Sequence, residues 1–399
     1  MKSIFIFTSN FPYGRGEEFL MNEVNALADH GFEITLIPNF IRGEKQKGIH
    51  AKIKIENDLA HSFSKTFFLM RAFLFSKTYY SFIFNNLHQV NSISSFIYLL
   101  KFTLGYTSLL TWLAGYHNQA DIYYSYWLNY RCNSLLRAKE ENWISGKIIS
   151  RAHGYDVYDE RLEKGAFWPD RIKILENLDA VFTISESGKN YLKNKSENST
   201  KIECIHLGSD PINNTVEFDS ETVNIISCSN NARIKRLDLI EDSIKLFAQK
   251  NPQRKISWSH IGISNREYIV KDIPNNLSIS FLGYIENEKI RDYYMDNKMN
   301  LFINLSDSEG IPVTIMDAFS VGIPVIARDV GGISEIVSNQ NGVLLSSNGN
   351  IEEAQEALNT VLLNWSLKSK SAVKTFESNF NSITNAKIHH QKINEIINN

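Results

Sequence analysis

The first apolar run, Ile4 to Phe7, stops at Thr8, Ser9 and Asn10, which is the pattern of a buried strand cut off by a polar loop. Pro12, Gly14 and Gly16 then break the chain. From about Glu17, Leu20, Val24 and Leu27 recur at helical spacing until Gly31, and residues 32–38 form the next apolar run. Strand, glycine-containing loop, helix and strand make the βαβ unit of a doubly wound sheet. Short buried strands are expected at 147–150, 180–184 and 202–206, and the polar stretch 208–214 reads as an interdomain linker. A second series of strands is expected at 223–228, 256–261, 277–282, 301–305 and 324–327, with helical segments between them. No internal repeat beyond this architecture and no low-complexity tract is visible.

A chain of 399 residues exceeds one ordinary core. The pattern predicts an N-terminal Rossmann-like domain over 1–208, a C-terminal one over 222–380, and a last helix, 381–399, that crosses back to the first domain. Two doubly wound domains in tandem are expected to face each other across a cleft, with a donor on one and an acceptor on the other. A net charge of -2 gives no general attraction to nucleic acid. Three widely spaced cysteines, Cys132, Cys204 and Cys228, fit neither a disulfide framework nor a metal site, and buried thiols in a reducing cytoplasm are expected. The N-terminus reads as a strand and not as a signal peptide.

One segment departs from the average. Residues 61–120 contain no Asp or Glu, while Lys65, Arg71, Lys77 and Lys101 add positive charge among many aromatics, including Phe67, Phe68, Tyr79 and Trp112. No uninterrupted apolar run reaches the ~20 residues that span a bilayer. Two readings stand: a face that lies on an anionic membrane surface, or ordinary aromatic core.

The most informative stretch runs from Ser306 to Ala327. A strand ends at Leu305, the loop carries Glu309, and a helix opens with Pro312 in its first turn, where a missing N–H costs nothing. The free N–H groups of that turn form an anion site, and Asp317, further along the helix, can accept from a pair of vicinal hydroxyls. This stretch resembles the E-x7-E signature of the retaining glycosyltransferases of family 4, which have the GT-B fold. Val330-Gly331-Gly332-Ile333-Ser334-Glu335-Ile336-Val337 and Asn341-Gly342 match the family's GG-x-x-E-x-V and NG patterns. The resemblance implies that Glu309 contacts the donor sugar, that the amides of Gly310, Ile311, Pro312 and Val313 mark the phosphate loop, and that Asp317 holds the ribose. Asp317 stands where the family has Glu.

Elsewhere the likeness is looser. His153-Gly154-Tyr155-Asp156 looks like HG-x-D, which makes His153 a candidate near the transferred sugar and Asp156 a weak acceptor candidate. Lys235 matches the phosphate lysine of GR-x4-KG; Asn230 occupies the arginine's position, and Arg233 or Arg236 is available to supply the second cation. Gly262 and Gly283 look like turns near the phosphates, with Tyr284 and Ile285 at the base. Gly14 and Gly16 resemble the N-terminal glycine loop, Gly16 toward donor phosphate and Gly14 with Arg15 toward acceptor; Arg15 and Glu17 are equally readable as solvated loop charges.

The reaction implied is retaining, metal-independent transfer from a nucleotide-diphosphate sugar, a UDP-sugar for preference, to a glycan or lipid-linked glycan acceptor in bacterial surface polysaccharide synthesis. No D-x-D triplet occurs, and no cofactor or metal is called for. The expected setting is the cytoplasm, at the inner face of the plasma membrane if the aromatic segment meets lipid. A sugar-nucleotide epimerase or phosphorylase on the same fold, and a catalytically silent partner subunit, remain as alternatives.

Overall fold

Thirteen strands form two parallel sheets in the computed structural model, which describes residues 2–64, 77–196, 201–219, 221–264 and 267–398. Residues 1–206 with 386–399 form one unit, and residues 207–385 the other.

In the N-terminal unit the strands are β1 (Ser3–Thr8), β2 (Glu33–Pro38), β3 (Lys54–Ile55), β4 (Ile122–Ser125), β5 (Lys147–Ala152), β6 (Ala180–Thr183) and β7 (Ile202–Cys204). Their spatial order is β3-β2-β1-β4-β5-β6-β7, every pairing parallel. The order therefore reverses between β1 and β4, the switch point where open parallel sheets bind ligands. The strands are buried on both faces, as a parallel sheet covered by helices must be. On one face Phe5, Phe7 and Tyr123 pack against Leu99, Phe102, Tyr106 and Leu109 of the helix Ile93–Gly115. On the other, Ile4, Ile6 and Tyr124 meet Leu20, Val24 and Leu27 of the helix Leu20–Asp29, together with Ile393 near the chain's end.

A polar group sits inside that second face. Arg151 of β5 reaches Glu23 at 3.3 Å, Tyr124 donates to Glu23 at 2.6 Å, and His389 lies 3.3 Å from the same carboxylate. Burial pushes His389 down to about 4, so it is neutral at physiological pH.

In the C-terminal unit the strands are β8 (Thr222–Cys228), β9 (Lys255–Ile261), β10 (Leu277–Phe281), β11 (Leu301–Asn304), β12 (Val325–Arg328) and β13 (Gly342–Leu345), in the order β10-β9-β8-β11-β12-β13. Here the reversal falls between β8 and β11, so the loops that leave these two strands flank the switch point.

The structure corrects the sequence reading in several places. The central strand β4, the edge strand β3 and β13 were not anticipated. The helix after the glycine loop begins at Leu20, because the Glu17 carboxylate is engaged with the preceding loop. Pro312 is the N-cap of the helix Val313–Ser320 and does not lie within its first turn. The start of the stretch read as a linker is packed. Ser209 N donates to Phe380 O at 3.1 Å, Ser382 N to Ser209 O at 3.0 Å, and Asn385 Nδ2 to Leu207 O at 3.0 Å. A Cβ on Gly208 would stand 2.6 Å from the Ser382 backbone.

Of the acid-free segment, Lys65, Phe67, Phe68 and Arg71 lie outside the described residues. The helix Ile93–Gly115 is long and apolar enough to cross a membrane by length and composition, although no uninterrupted apolar run suggested it, and 56% of its most apolar 18-residue stretch is buried within the protein.

Candidate active site

In the C-terminal unit, the loop leaving β8 turns through a short 3-10 helix, Arg233–Lys235, and the loop leaving β11 carries Glu309. Asp307 N donates to Ile234 O at 2.8 Å and ties the two loops together. Lys235 Nζ then meets Glu309 Oε1 at 2.7 Å, and Asn304 Nδ2 donates to the same oxygen at 3.3 Å. Neither partner is sealed from water, with the lysine 23% and the glutamate 10% exposed in their side chains. A few residues on begins the helix Val313–Ser320, where Ile315 N donates to Pro312 O at 3.1 Å and the N–H groups of Val313 and Thr314 lie ahead of that first bond. The result is a paired cation and carboxylate and a helix start on the loops that leave the central strands of the sheet.

The neighbouring glycines serve this loop. Gly332 N donates to Gly310 O at 3.2 Å, and a Cβ on Gly332 would lie 2.8 Å from Ile311 Cγ1, so a side chain there would push the loop that carries Gly310 and Ile311 aside. Gly262, at φ +110°, packs against the Ser229 backbone, where a Cβ would meet Ser229 O at 2.3 Å. Asn341 Nδ2 donates to Ile336 O at 2.8 Å, and Lys368 Nζ to Gly342 O at 2.7 Å, which makes the Asn-Gly pair a structural turn. Tyr284 is exposed and Ile285 half-buried on the loop after β10.

Of the two arginines near Lys235, Arg236 is engaged with Asp238 and Asp307. Arg233 is exposed, and Asn230 Oδ1 accepts from Ala232 N at 3.2 Å within its own loop. Asp317 is 8% exposed. Burial pushes its carboxyl up to about 6, against the pull of the Ser209 hydroxyl and the Arg291 guanidinium, while Asp210 pushes it further up.

The N-terminal unit holds the other candidates around its own switch point. His153 follows β5, is 6% exposed, and lies against Trp127, Tyr126 and Phe19 with ring centroids at 4.6, 5.0 and 5.5 Å. Among the described residues neither ring nitrogen has a hydrogen-bond partner. Burial, with Arg151 adding to it, holds its pKa well below the usual histidine value, so the imidazole is neutral. A neutral, unpartnered imidazole is a polar group in want of a partner.

Two residues expected at the acceptor prove to be clamps. Asp156 is fully buried; its oxygens accept from Leu128 N at 2.6 Å and from His153 N, joining the loops after β4 and β5. Glu17, read as an acceptor contact or a solvated charge, is neither. It is 5% exposed and accepts from Ser9 N, Asn10 N and Phe11 N at 3.0, 2.6 and 2.7 Å, and from Trp127 Nε1 at 2.5 Å. Gly14 is at φ +63°, and a Cβ there would meet Arg42 O at 2.2 Å, so this glycine permits two loops to cross. Gly16, at φ +104°, has open space where its Cβ would be, and Arg15 is exposed beside it.

Several residues of this geometry escaped the sequence reading. Trp127 links Glu17 to His153, Asn304 shares Glu309 with Lys235, and Arg328 binds Asp307 at 2.5 Å. Each sits at the end of a strand or just beyond it, which was the available signal.

Two doubly wound units, the second with its cation, acid and helix start at the switch point, define the GT-B class of fold. Residues 216–376, within the C-terminal unit, match the family model described as glycosyl transferases group 1. Among curated relatives, the O-antigen biosynthesis glycosyltransferase WbnH of Escherichia coli is 32% identical over 115 residues, which cover 28% of this chain and 30% of that protein. The amylovoran biosynthesis glycosyltransferase AmsK of Erwinia amylovora is 22% identical over 238 residues, 57% of each chain. The matched stretches thus fall short of these relatives' full lengths. Among solved structures, the lipopolysaccharide outer core galactosyltransferase WaaB aligns over 96% of this chain and 98% of its own, at a TM-score of 0.65 and 15% identity. Anabaena HepE, solved with UDP and glucose, aligns over 98% of this chain and 99% of its own at a TM-score of 0.63 and 14% identity. At these identities the structural likeness establishes the fold.

Proposed function

We propose that this chain is a retaining glycosyltransferase that moves a sugar from a UDP-sugar to a glycan or lipid-linked glycan acceptor in bacterial surface polysaccharide synthesis. The observation that carries the reading is the Lys235–Glu309 pair at 2.7 Å beside the start of the helix Val313–Ser320. A diphosphate at that helix start draws Lys235 from its carboxylate partner, since phosphate offers more charge and more acceptor oxygens than Glu309 does. Glu309, released, is then available to the sugar hydroxyls. The glycosyltransferase relatives and the UDP bound by HepE favour the same reading.

In this scheme the bond from the anomeric carbon to the β-phosphate oxygen breaks, and a bond to the acceptor oxygen forms on the same face. The acceptor's proton passes to the leaving phosphate. Lys235, Arg233 and the helix N–H groups meet the charge that develops on the diphosphate, so no metal ion is required. Asp317 holds the ribose, Tyr284 and Ile285 meet the base, and the N-terminal unit, with His153 and Gly16, attends the transferred sugar and the acceptor. Use of a nucleotide sugar and three free cysteines suit a cytoplasmic setting.

The test is a panel of nucleotide sugars, scored for thermal stabilisation and for slow hydrolysis, with and without EDTA. Release of UDP that survives EDTA supports the scheme; a strict requirement for Mg²⁺ or Mn²⁺ removes its cation assignment. A new sugar nucleotide made from donor alone would identify an epimerase instead.

A further inference from the structure

We infer that the outward faces of the helices Lys77–Asn86 and Ile93–Gly115 form a docking surface for an anionic lipid bilayer. This goes beyond sugar transfer and stands or falls without it.

The two helices pack together, with Phe82 stacked on Tyr106 at 4.4 Å and aligned with Phe102 at 6.0 Å. Those residues, with Leu99 and Leu109, make up their buried sides. Tyr80 and Phe84 lie one helical turn apart on the other side of the first helix, 52% and 77% exposed. Ile93 and Ile97 do the same on the second, 81% and 46% exposed, with Phe96 beside them and Leu104 further along the stripe. Single exposed apolar side chains are ordinary on a protein surface, but a run of them on adjoining helices marks a binding face.

Charge selects the occupant. Lys77 and Lys101 are exposed on these two helices, and residues 61–120 contain no Asp or Glu. The groups brought near by other elements are mixed. Glu163 and Lys164 precede Gly165, which packs on Ser94 at the start of the second helix, and Glu140, Asp170, Arg137 and Lys173 share a pocket with Lys77. Glu140 is already neutralised by Arg137 and Lys173. A second copy of this chain would bring Lys77 and Lys101 against their own kind, whereas an anionic headgroup layer offers the opposite charge while the aromatic and aliphatic tips enter the interface.

The experiment is sedimentation of the full chain with vesicles of phosphatidylcholine alone and with phosphatidylglycerol added. Wild type should bind the anionic vesicles and release as salt rises. The double variant Phe84→Asp/Ile93→Asp should bind about tenfold more weakly, and Lys77→Glu/Lys101→Glu several-fold more weakly. Leu363→Asp, which changes an 81% exposed leucine of the other unit, should bind as wild type does. The changed positions are exposed, so melting temperatures should stay together and show that lost binding is not lost folding. Failure of wild type to bind, or binding indifferent to both double variants, overturns the proposal. So does a dimer in solution that Phe84→Asp/Ile93→Asp dissolves while vesicles are ignored, because the face would then join two copies of the chain.

Discussion

After β1 in the N-terminal unit and after β11 in the C-terminal unit, the chain leaves a central parallel strand at the switch point and sets a glutamate on the loop. The two carboxylates have different fates. Glu17 takes three backbone N–H groups and an indole N–H, all from its own surroundings, and is 5% exposed. Glu309 meets the side chains of Lys235 and Asn304, and Lys235 is partly exposed to solvent. A carboxylate bound by backbone has a fixed set of partners and shapes a loop. One bound by a flexible lysine can exchange that partner for a ligand.

The sharpest break of this comparison is substitution at each glutamate. Glu309→Ala and Lys235→Ala should lower transfer by about 10²–10³ or more, the loss typical of removing charge stabilisation at a reacting centre, with little change in melting temperature. Near-wild-type turnover by either purified variant would remove the site. Glu17→Ala and Asp156→Ala should do the reverse at the level of stability. Each leaves buried backbone donors unpaired, at a cost of about 3 kcal/mol, or roughly 6–12 °C in a unit of this size. A Glu17→Ala protein that melts with wild type would mean the loop is held by something else.

Smaller effects sharpen the picture around Asp317. Asp317→Asn should weaken UDP binding by about 1–3 kcal/mol, measured by calorimetry at neutral pH. With its carboxyl raised to about 6, UDP affinity should also fall as pH drops through 6, and more steeply in wild type than in Asp317→Asn, which cancels the titration of the nucleotide itself. For folding the sign runs the other way. A carboxyl raised above its usual 3.8 stabilises the native state most when protonated, a contribution lost as pH rises through about 6. The variant should therefore melt no lower than wild type at neutral pH, and a lower melting temperature there would assign Asp317 to the scaffold. The smallest change is expected at Arg233→Ala, a few-fold loss in UDP affinity, because an exposed guanidinium is screened by water.

Much of the architecture was legible because parallel strands buried on both faces read as apolar runs. The strand β4 was not, since Ile122, Tyr123, Tyr124 and Ser125 make only four residues and run on into Tyr126 and Trp127 with no period of their own. The strand β13 was hidden behind the Asn-Gly turn that opens it. In the site, Lys235 and Glu309 were found by their resemblance to a family's motifs, and their meeting at one oxygen depends on loops that a sequence does not show. Reading Glu17 as a solvated charge failed for a related reason: a charged residue on a glycine-containing loop implies solvent until the backbone donors around it are counted. The aromatic segment divided, with Phe82 and Phe102 in the core and Tyr80 and Phe84 outside, because helical spacing assigns neighbours of one composition to opposite sides.

Residues 386–398 complete the N-terminal unit, and Ile393 among them is wholly buried against its sheet. A chain emerging from the ribosome thus cannot finish its first domain before its last, although domains ordinarily form in the order they are made. Until residues 386–398 are released, Glu23, Arg151 and the apolar residues around them lack that cover while the C-terminal unit, contained within 207–385, folds ahead of them. Birth order and folding order are inverted in this protein, and loss of residues 386–398 would spoil the unit made first.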